Sequence, residues 1–515
     1  MLIETEFQYY DPPTAILEQG LKFSAWNDSK FIEPMQNLNK LISGLRISIV
    51  EGALAQIFAN LTGSIFLPAY AIFLGANALQ IGLLASVQFF ATLAQFPGAA
   101  LVERFTHRKK ISVYFSFFAR ALWLPLVVYG LYTAADVDKD NLLHLLIVVA
   151  VVYHVLASIS GVSWLSWMSA MVPDEIRGRF FGLRNSILGI ITIFITLGGG
   201  YFLDRFPKIF PDISRFNSFN ILFAIALIAG LASSLLLSRQ VEPTRVQPFK
   251  GSYKRYLSDP LRNTNFRRLL TFALFWSFAV NFAAPFYVVY MLKDLSMSYT
   301  LISSLTVLSA IADFTGMGIW GHYSDQFGNR PIMIITASIA ALIPFFWIFT
   351  TPNPVSIYLF IPLLHMLGGF IVSGYNLTSV NLIFRSAPEQ RNSIYFAFWA
   401  SSNGVMAGMG ALAGGYAATN ITLPLPFWEI DPGSVFKVLF LMSSAMRIVS
   451  LVFLLKVQEE KGQPLLRVIR VLRSVRSWAS MMGYHPVLQF FLPARNGQKP
   501  QSPYWPIWRR DTHQK

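Results

Sequence analysis

Two short stretches decide how this chain is read: Ala99-Ala-Leu-Val-Glu103-Arg104-Phe-Thr-His-Arg108-Lys109 and Gly321-His-Tyr-Ser-Asp325-Gln-Phe-Gly328-Asn-Arg330. Each follows an apolar run and opens another, and their acids, Glu103 and Asp325, stand 222 residues apart. A second pair repeats the pattern. Pro173-Asp-Glu-Ile-Arg177-Gly178-Arg179-Phe-Phe-Gly182 answers to Pro388-Glu389-Gln-Arg391-Asn-Ser-Ile-Tyr, with the prolines 215 residues apart. Two motifs recurring at nearly one offset indicate an internal duplication.

The runs between the motifs say what is duplicated. Of 515 residues, 54% are hydrophobic and only 13% charged, where a soluble domain carries about a quarter charged residues; mean hydropathy is +0.49. In lipid a backbone must satisfy its own polar groups, so each crossing is a helix of roughly 20 apolar residues. Twelve such stretches are expected, at 46–74, 80–102, 111–134, 142–172, 180–203, 218–237, 269–292, 299–320, 331–350, 356–384, 394–418 and 434–455. The fold class is therefore all-α, with twelve transmembrane helices in two pseudo-symmetric six-helix bundles.

This reading divides the chain into an N-terminal segment 1–45, a bundle 46–237, a linker 238–268, a second bundle 269–456 and a basic tail 457–515. The linker is rich in proline and basic residues. In the tail, Arg467, Arg470, Arg473 and Arg476 recur at three-residue spacing among apolar residues, a pattern expected of an interfacial amphipathic helix.

The net charge of +15 is sorted by loop parity rather than gathered into one patch with aromatics, which argues against nucleic acid as a partner. Arg104, Arg108, Lys109, Lys110, Arg177, Arg179, Arg184 and eight basic residues from Arg239 to Arg268 fall on one side. By the positive-inside rule that side, with both termini, is cytoplasmic, in a cell (inner) membrane. No basic n-region or cleavage site precedes the first span. The chain has no cysteine, which removes thiolate chemistry and cysteine metal sites. No phosphate-binding glycine loop, nucleophile elbow or metal-binding histidine pair is found, so neither an ATP-driven pump nor an enzyme is expected, nor any metal or cofactor.

Ionisable residues inside spans are costly and mark candidate functional positions. Thr306, Ser309, Asp313 and Gly316 form one helical stripe, making Asp313 a candidate for coupling. Arg447 stands at similar depth, so a structural ion pair between the two is the alternative. Arg120, with no acid expected at its depth, is a candidate carbonyl cap or anion ligand. Glu51 counts as interfacial, five residues from the start of its span. Gln56 and Asn60 lie on a small, polar stripe of the first span, and Asn281, 221 residues after Asn60, is its counterpart in the seventh.

The loop Gly321, Asp325, Gly328, Arg330 resembles the signature of the major facilitator superfamily between helices 2 and 3, repeated between helices 8 and 9. The first copy departs from it, with Ala99 and Thr106 for glycines and Glu103 for the aspartate, and the Pro173–Arg179 segment is similar to the family's loop between helices 4 and 5. The resemblance implies a secondary transporter working by alternating access, not an enzyme, with small solutes and the lipid bilayer as partners and a monomer as the working unit. It implies a gating role for Glu103, Arg104, Arg108, Arg177, Gly178, Arg179, Gly321, Asp325, Gly328, Arg330 and Arg391, with Asp325 and Glu103 as latches. It also implies a cavity lined by helices 1, 4, 7 and 10 and their neighbours, which brings His154, Trp164, Asn376, Trp399 and Asn403 beside Gln56, Asn60 and Asn281. The amides and indoles favour an organic solute, moved with a proton or another ion. Efflux antiport of drugs or metabolites, and a lipid-handling or sensing role, are the alternatives; Gly198-Gly199-Gly200 lacks the Gly-Pro step of the family's antiporters.

Overall fold

The structure, a computed structural model, describes residues 29–105, 107–132, 138–211, 215–242, 260–387, 392–421, 435–459 and 463–472. Among them the regular structure is helical throughout. Eleven helices are long and apolar enough to cross a membrane: Ser43–Phe73, Ala78–Val102, Arg108–Gly130, Lys139–Met171, Ile176–Ile209, Phe216–Arg239, Thr264–Lys293, Tyr299–Phe327, Asn329–Phe349, Ser356–Ser386 and Val435–Leu454. The helix Asn392–Asn420, at 29 residues, is about 43 Å long at 1.5 Å per residue and stands as the eleventh of twelve spans. The chain divides into two compact units at Gly251, with Met297–Ser303 grouped with the first.

The duplication is written into the backbone. Helices begin at Ala78 and Tyr299 and at Arg108 and Asn329, and each pair differs by 221. The turns after the first and seventh spans carry positive φ at Gly75 and Ser296, again 221 apart. So do the caps: Asn77 Oδ1 accepts from the Gln80 amide at 2.8 Å, and Ser298 Oγ from the Leu301 amide at 3.2 Å. The first span breaks between Leu61 and Phe66, and the seventh between Ala283 and Phe286. At the first break Ser64 adopts φ +45°, and Thr62 Oγ1 bonds the Phe58 carbonyl at 2.7 Å. At the second, Pro285 has no N–H to continue the helix. Asn60 and Asn281 each lie just ahead of a break.

The signature segments sit in helices rather than in loops. Glu103 and Arg104 end the helix Gln95–Phe105, Arg177–Arg179 lie in Asp174–Ile209, and Gly321 and Asp325 lie in Tyr299–Phe327. In the second signature segment the helix runs unbroken to Gly328, whose φ of +94° and ψ of +160° belong to a region open essentially to glycine alone. Gly321 is different, since a methyl there would meet only Leu377 Cδ2 at an ordinary 3.6 Å.

Two acids just past the sixth and twelfth spans tie off the ends of the units, and sequence reasoning passed over both. Glu242 accepts from the Lys109 amide at 3.1 Å, at the start of the third span. Glu459, whose side chain is 3% exposed, accepts from the amides of Asn329 (3.1 Å) and Arg330 (2.7 Å) and pairs with Arg385. Each acid occupies a helix N-terminus, where unbonded amides and the helix dipole favour negative charge.

The tail helix Leu465–Leu472 packs on the second unit through the fully buried Val468. Val468 is thus covered by protein, while Leu466 on the same helix is exposed. Arg473 and Arg476, like the side chains of Arg467 and Arg470, lie outside the described residues.

Gly328→Ala should destabilise the purified protein by about 1–3 kcal/mol through the strained backbone, read as a lowered midpoint of thermal unfolding, while Gly321→Ala leaves the midpoint in place. Removing the cap with Glu459→Ala should cost about 1–2 kcal/mol in the same assay, by analogy with the loss of a helix cap.

Candidate functional site

Five helices of the first unit turn small and polar residues to one place. Ser48, Glu51, Gly52 and Ala55 share a face of the first span, and Ser112, Ser116 and Arg120 of the third. Tyr153, Ala157, Ser160, Gly161 and Trp164 do the same in the fourth, and Gly230, Ser233, Ser234 and Leu237 in the sixth. All follow the three-and-four spacing of a helix face. The fifth helix adds Arg184.

Glu51 is the centre of this arrangement. It is 3% exposed, enclosed by neighbouring helices, on a first helix that begins at Ser29. Its Oε1 lies 3.8 Å from Arg120 Nη2 and its Oε2 3.8 Å from Arg184 Nη2. The Ser233 hydroxyl donates to Oε1 at 2.9 Å. Arg120 therefore does have an acid, contrary to the sequence expectation. It also donates to the Gly230 carbonyl (3.0 Å) and to Ser234 Oγ (2.8 Å). Arg184 donates to the Ser48 carbonyl at 3.4 Å and stacks 4.6 Å from the centre of the Trp164 ring.

Room for the two guanidiniums is built in. A methyl on Gly52 would overlap the Arg184 guanidinium, and one on Gly230 would press on the Phe58 ring and Arg120 Cδ. Tyr153 is held between Phe58 and Trp123, with ring centroids at 5.5 and 6.2 Å.

The cluster is not closed. Charge-assisted hydrogen bonds run at about 2.7–2.9 Å, so at 3.8 Å neither arginine closes a hydrogen bond to the carboxylate. Among the described residues, Glu51 Oε2 and Trp164 Nε1 are buried without a hydrogen-bond partner. Beside them is a cavity of about 230 Å³, lined by Glu51, Arg120, Tyr153, Ser160, Trp164 and Arg184 among others. It can hold a small solute and present it with charge, hydroxyls and an aromatic wall.

The other candidates fall elsewhere. Gln56 Nε2 donates to Thr192 Oγ1 (2.9 Å), and the buried Asn60 accepts from Thr196 Oγ1 (3.2 Å), so both join the first helix to the fifth. His154 is half-buried beside Tyr153. In the second unit Asn281 donates to the Ser277 carbonyl, Ser277 to Asn403, and Asn403 to the Trp399 carbonyl. Asn376 is exposed.

Asp313 and Arg447 do not pair. Arg447, 7% exposed, donates to the Ala340 carbonyl at 3.1 Å, bonds the Tyr287 hydroxyl and lies over the Trp276 ring. Asp313 is half-buried and, among the described residues, has no hydrogen bond or ion pair. The stripe that pointed to it is a packing face: methyls on Gly316 and Gly369 would overlap Ser373 and Ser309 across the eighth and tenth helices.

Of the motif residues, Arg108 bonds the Ser166 carbonyl, and Arg177 the carbonyls of Ser169 and Val172 at the end of the fourth span. Arg330 donates to the Leu455 carbonyl. Arg104, Gly178, Arg179 and Asp325 are exposed. Arg391 and the side chain of Glu103 lie outside the described residues.

The family model of the Major Facilitator Superfamily matches residues 52–290 and 269–494, one copy on each half. No curated protein matches the chain. Among solved structures, a mutant of the nucleoside transporter NupG superposes with a TM-score of 0.62 at 11% identity, covering 81% of this chain and 100% of that one. A D-xylose–proton symporter gives 0.57 at 15%, covering 81% and 98%. The inward-open xylose transporter XylE from E. coli gives 0.55 at 14%, covering 84% and 99%. At such identities these likenesses speak for the fold. With two matched copies spanning its twelve helices, the chain belongs to the major facilitator superfamily.

Proposed function

We propose that this multi-pass membrane transporter is a secondary carrier that moves a small organic solute by alternating access, coupled to protons. The solute enters the cavity of the first unit, and Glu51 carries the coupling proton. The observation that supports this most is the open state of the buried cluster. A charged group kept only for structure is expected to close its ion pairs and fill its space, because desolvated charges cost several kcal/mol when they do not. Here the carboxylate stands 3.8 Å from each arginine beside a cavity of about 230 Å³.

A proton on Glu51 would change what both arginines are free to bind, which is the linkage a coupled carrier requires. Asp313 has no such partners. The basic loop ends are read as cytoplasmic, with both termini, in the plasma membrane of a bacterial-type cell. Nucleoside and xylose transporters share the fold, which is compatible with a solute of small-molecule size.

The test is uptake by the full-length protein in proteoliposomes under an imposed pH gradient, screened over metabolites. Glu51→Gln should abolish gradient-driven accumulation while solute exchange without a gradient continues, and Asp313→Asn should retain both. Accumulation that survives Glu51→Gln, or is lost in Asp313→Asn alone, removes Glu51 from the coupling role.

A further inference from the structure

The charge balance of the first-unit cavity identifies the chemistry of its ligand. We propose that the cavity takes a small organic monoanion, its carboxylate held by Arg184 and Arg120 and its apolar body set against Trp164 and Tyr153; this rests on the reading of the cavity as the solute site.

The cavity walls carry two guanidiniums and one carboxylate, and its other lining residues are Ala55, Ala119, Ala157, Leu237, three serines, a glycine, Tyr153 and Trp164. With Glu51 ionised, one positive charge is therefore left without a counter-charge among the described residues, inside a helical bundle where an uncompensated ion is expensive. A monoanion restores neutrality. A cation would double the excess.

The unused hydrogen-bonding capacity has the same sign. A guanidinium offers five N–H donors in a planar fork that matches a carboxylate. Arg184 spends its donors on one 3.4 Å bond to the Ser48 carbonyl and a 3.8 Å approach to Glu51. Trp164 adds a buried Nε1–H with no acceptor among the described residues. Gly52 keeps the Arg184 fork in place, since any side chain there would displace it. The free groups at the wall are thus mainly donors, as an anion requires.

Size and shape narrow the class. Drug-sized ligands occupy pockets of about 300–1,000 Å³, and this one holds about 230 Å³. The alanines and aromatic rings form an apolar wall, while Ser112, Ser116 and Ser160 suit a hydroxyl or carbonyl on the ligand body.

The ligand's carboxylate and that of Glu51 would share the same two arginines. Two carboxylates in one low-dielectric site disfavour each other's charge. Glu51 is faced by Arg120 from the third span, Tyr153 and Trp164 from the fourth, Arg184 from the fifth and Ser233 from the sixth. Arrival of the anion therefore favours a proton on Glu51. One anion and one proton then move together, the loaded site has the same charge as the empty one, and the full cycle carries no net charge.

Benzoate and benzamide test this on the detergent-purified full-length protein, because they share a ring and differ in charge. Benzoate should raise the thermal unfolding midpoint and bind by calorimetry, and benzamide at equal concentration should do neither. Arg184→Gln should weaken benzoate at least about tenfold, the equivalent of 1.4 kcal/mol. In proteoliposomes, benzoate uptake should follow a pH gradient and ignore a potassium diffusion potential. Equal binding of benzamide, or no stabilisation by benzoate at millimolar concentration, overturns the proposal without need of any variant. Uptake of uncharged solutes that Glu51→Gln abolishes would sink the anion assignment and leave the carrier standing. Benzoate binding with no accumulation of any solute would do the reverse.

Discussion

Inside a bilayer no water stands ready to solvate an amide, a carbonyl or a charge, so every polar group of this chain must find its partner in the protein. The helices meet that demand for most of the backbone. Where they break, at Thr62–Ile65 and ahead of Phe286, the exceptions are local and repeated: a threonine hydroxyl covers a carbonyl in one half, and a proline removes the orphan donor in the other. Where they start, acids from beyond the sixth and twelfth spans cover the free amides. The same requirement makes Glu51, Arg120 and Arg184 the unusual feature of the molecule. They form a cluster of charges in which the demand is met only in part.

That partial satisfaction links structure to activity. A tight buried pair gains rigidity and loses responsiveness, while a pair held at 3.8 Å can exchange one partner for another at small net cost. A site that must bind and release once per cycle needs the second kind, since binding too strong to leave stalls a carrier as surely as binding too weak to enter. Ser233, Ser234 and the Gly230 carbonyl hold the groups in position, and Gly52 leaves room for the Arg184 guanidinium.

Most of the architecture was legible because lipid permits so few alternatives. Twelve apolar runs, the repeated motifs and the paired positions of Asn60 and Asn281 translate directly into helices, and the offset near 221 reappears in caps, turns and breaks. The site was harder to read. Depth counted along each helix put Glu51 about five residues and Arg120 about ten residues into their spans, a gap of roughly 7 Å at 1.5 Å per residue. A helical side chain leans toward the helix start, however, so a long arginine reaches back about that far. Counting from Cβ direction as well as Cα depth would have joined them. Arg184 was counted with the basic loop because the fifth helix was expected to start at 180; it begins at Asp174, which carries Arg184 into the bundle. Asp313 misled for the opposite reason: small residues at helical spacing record close packing as readily as a polar pathway, and Ser309 and Gly316 proved to be packing positions.

Arg184→Lys tests most directly whether the cluster is a working site or a structural staple. Lysine keeps the charge near Glu51 but loses the planar fork and the stacking on Trp164. Thermal unfolding and solute exchange, measured on the same reconstituted protein, should separate: the unfolding midpoint stays close to that of the unaltered chain, and exchange falls by about an order of magnitude or more. Exchange at the unaltered rate would contradict the account and leave the three charges as a staple.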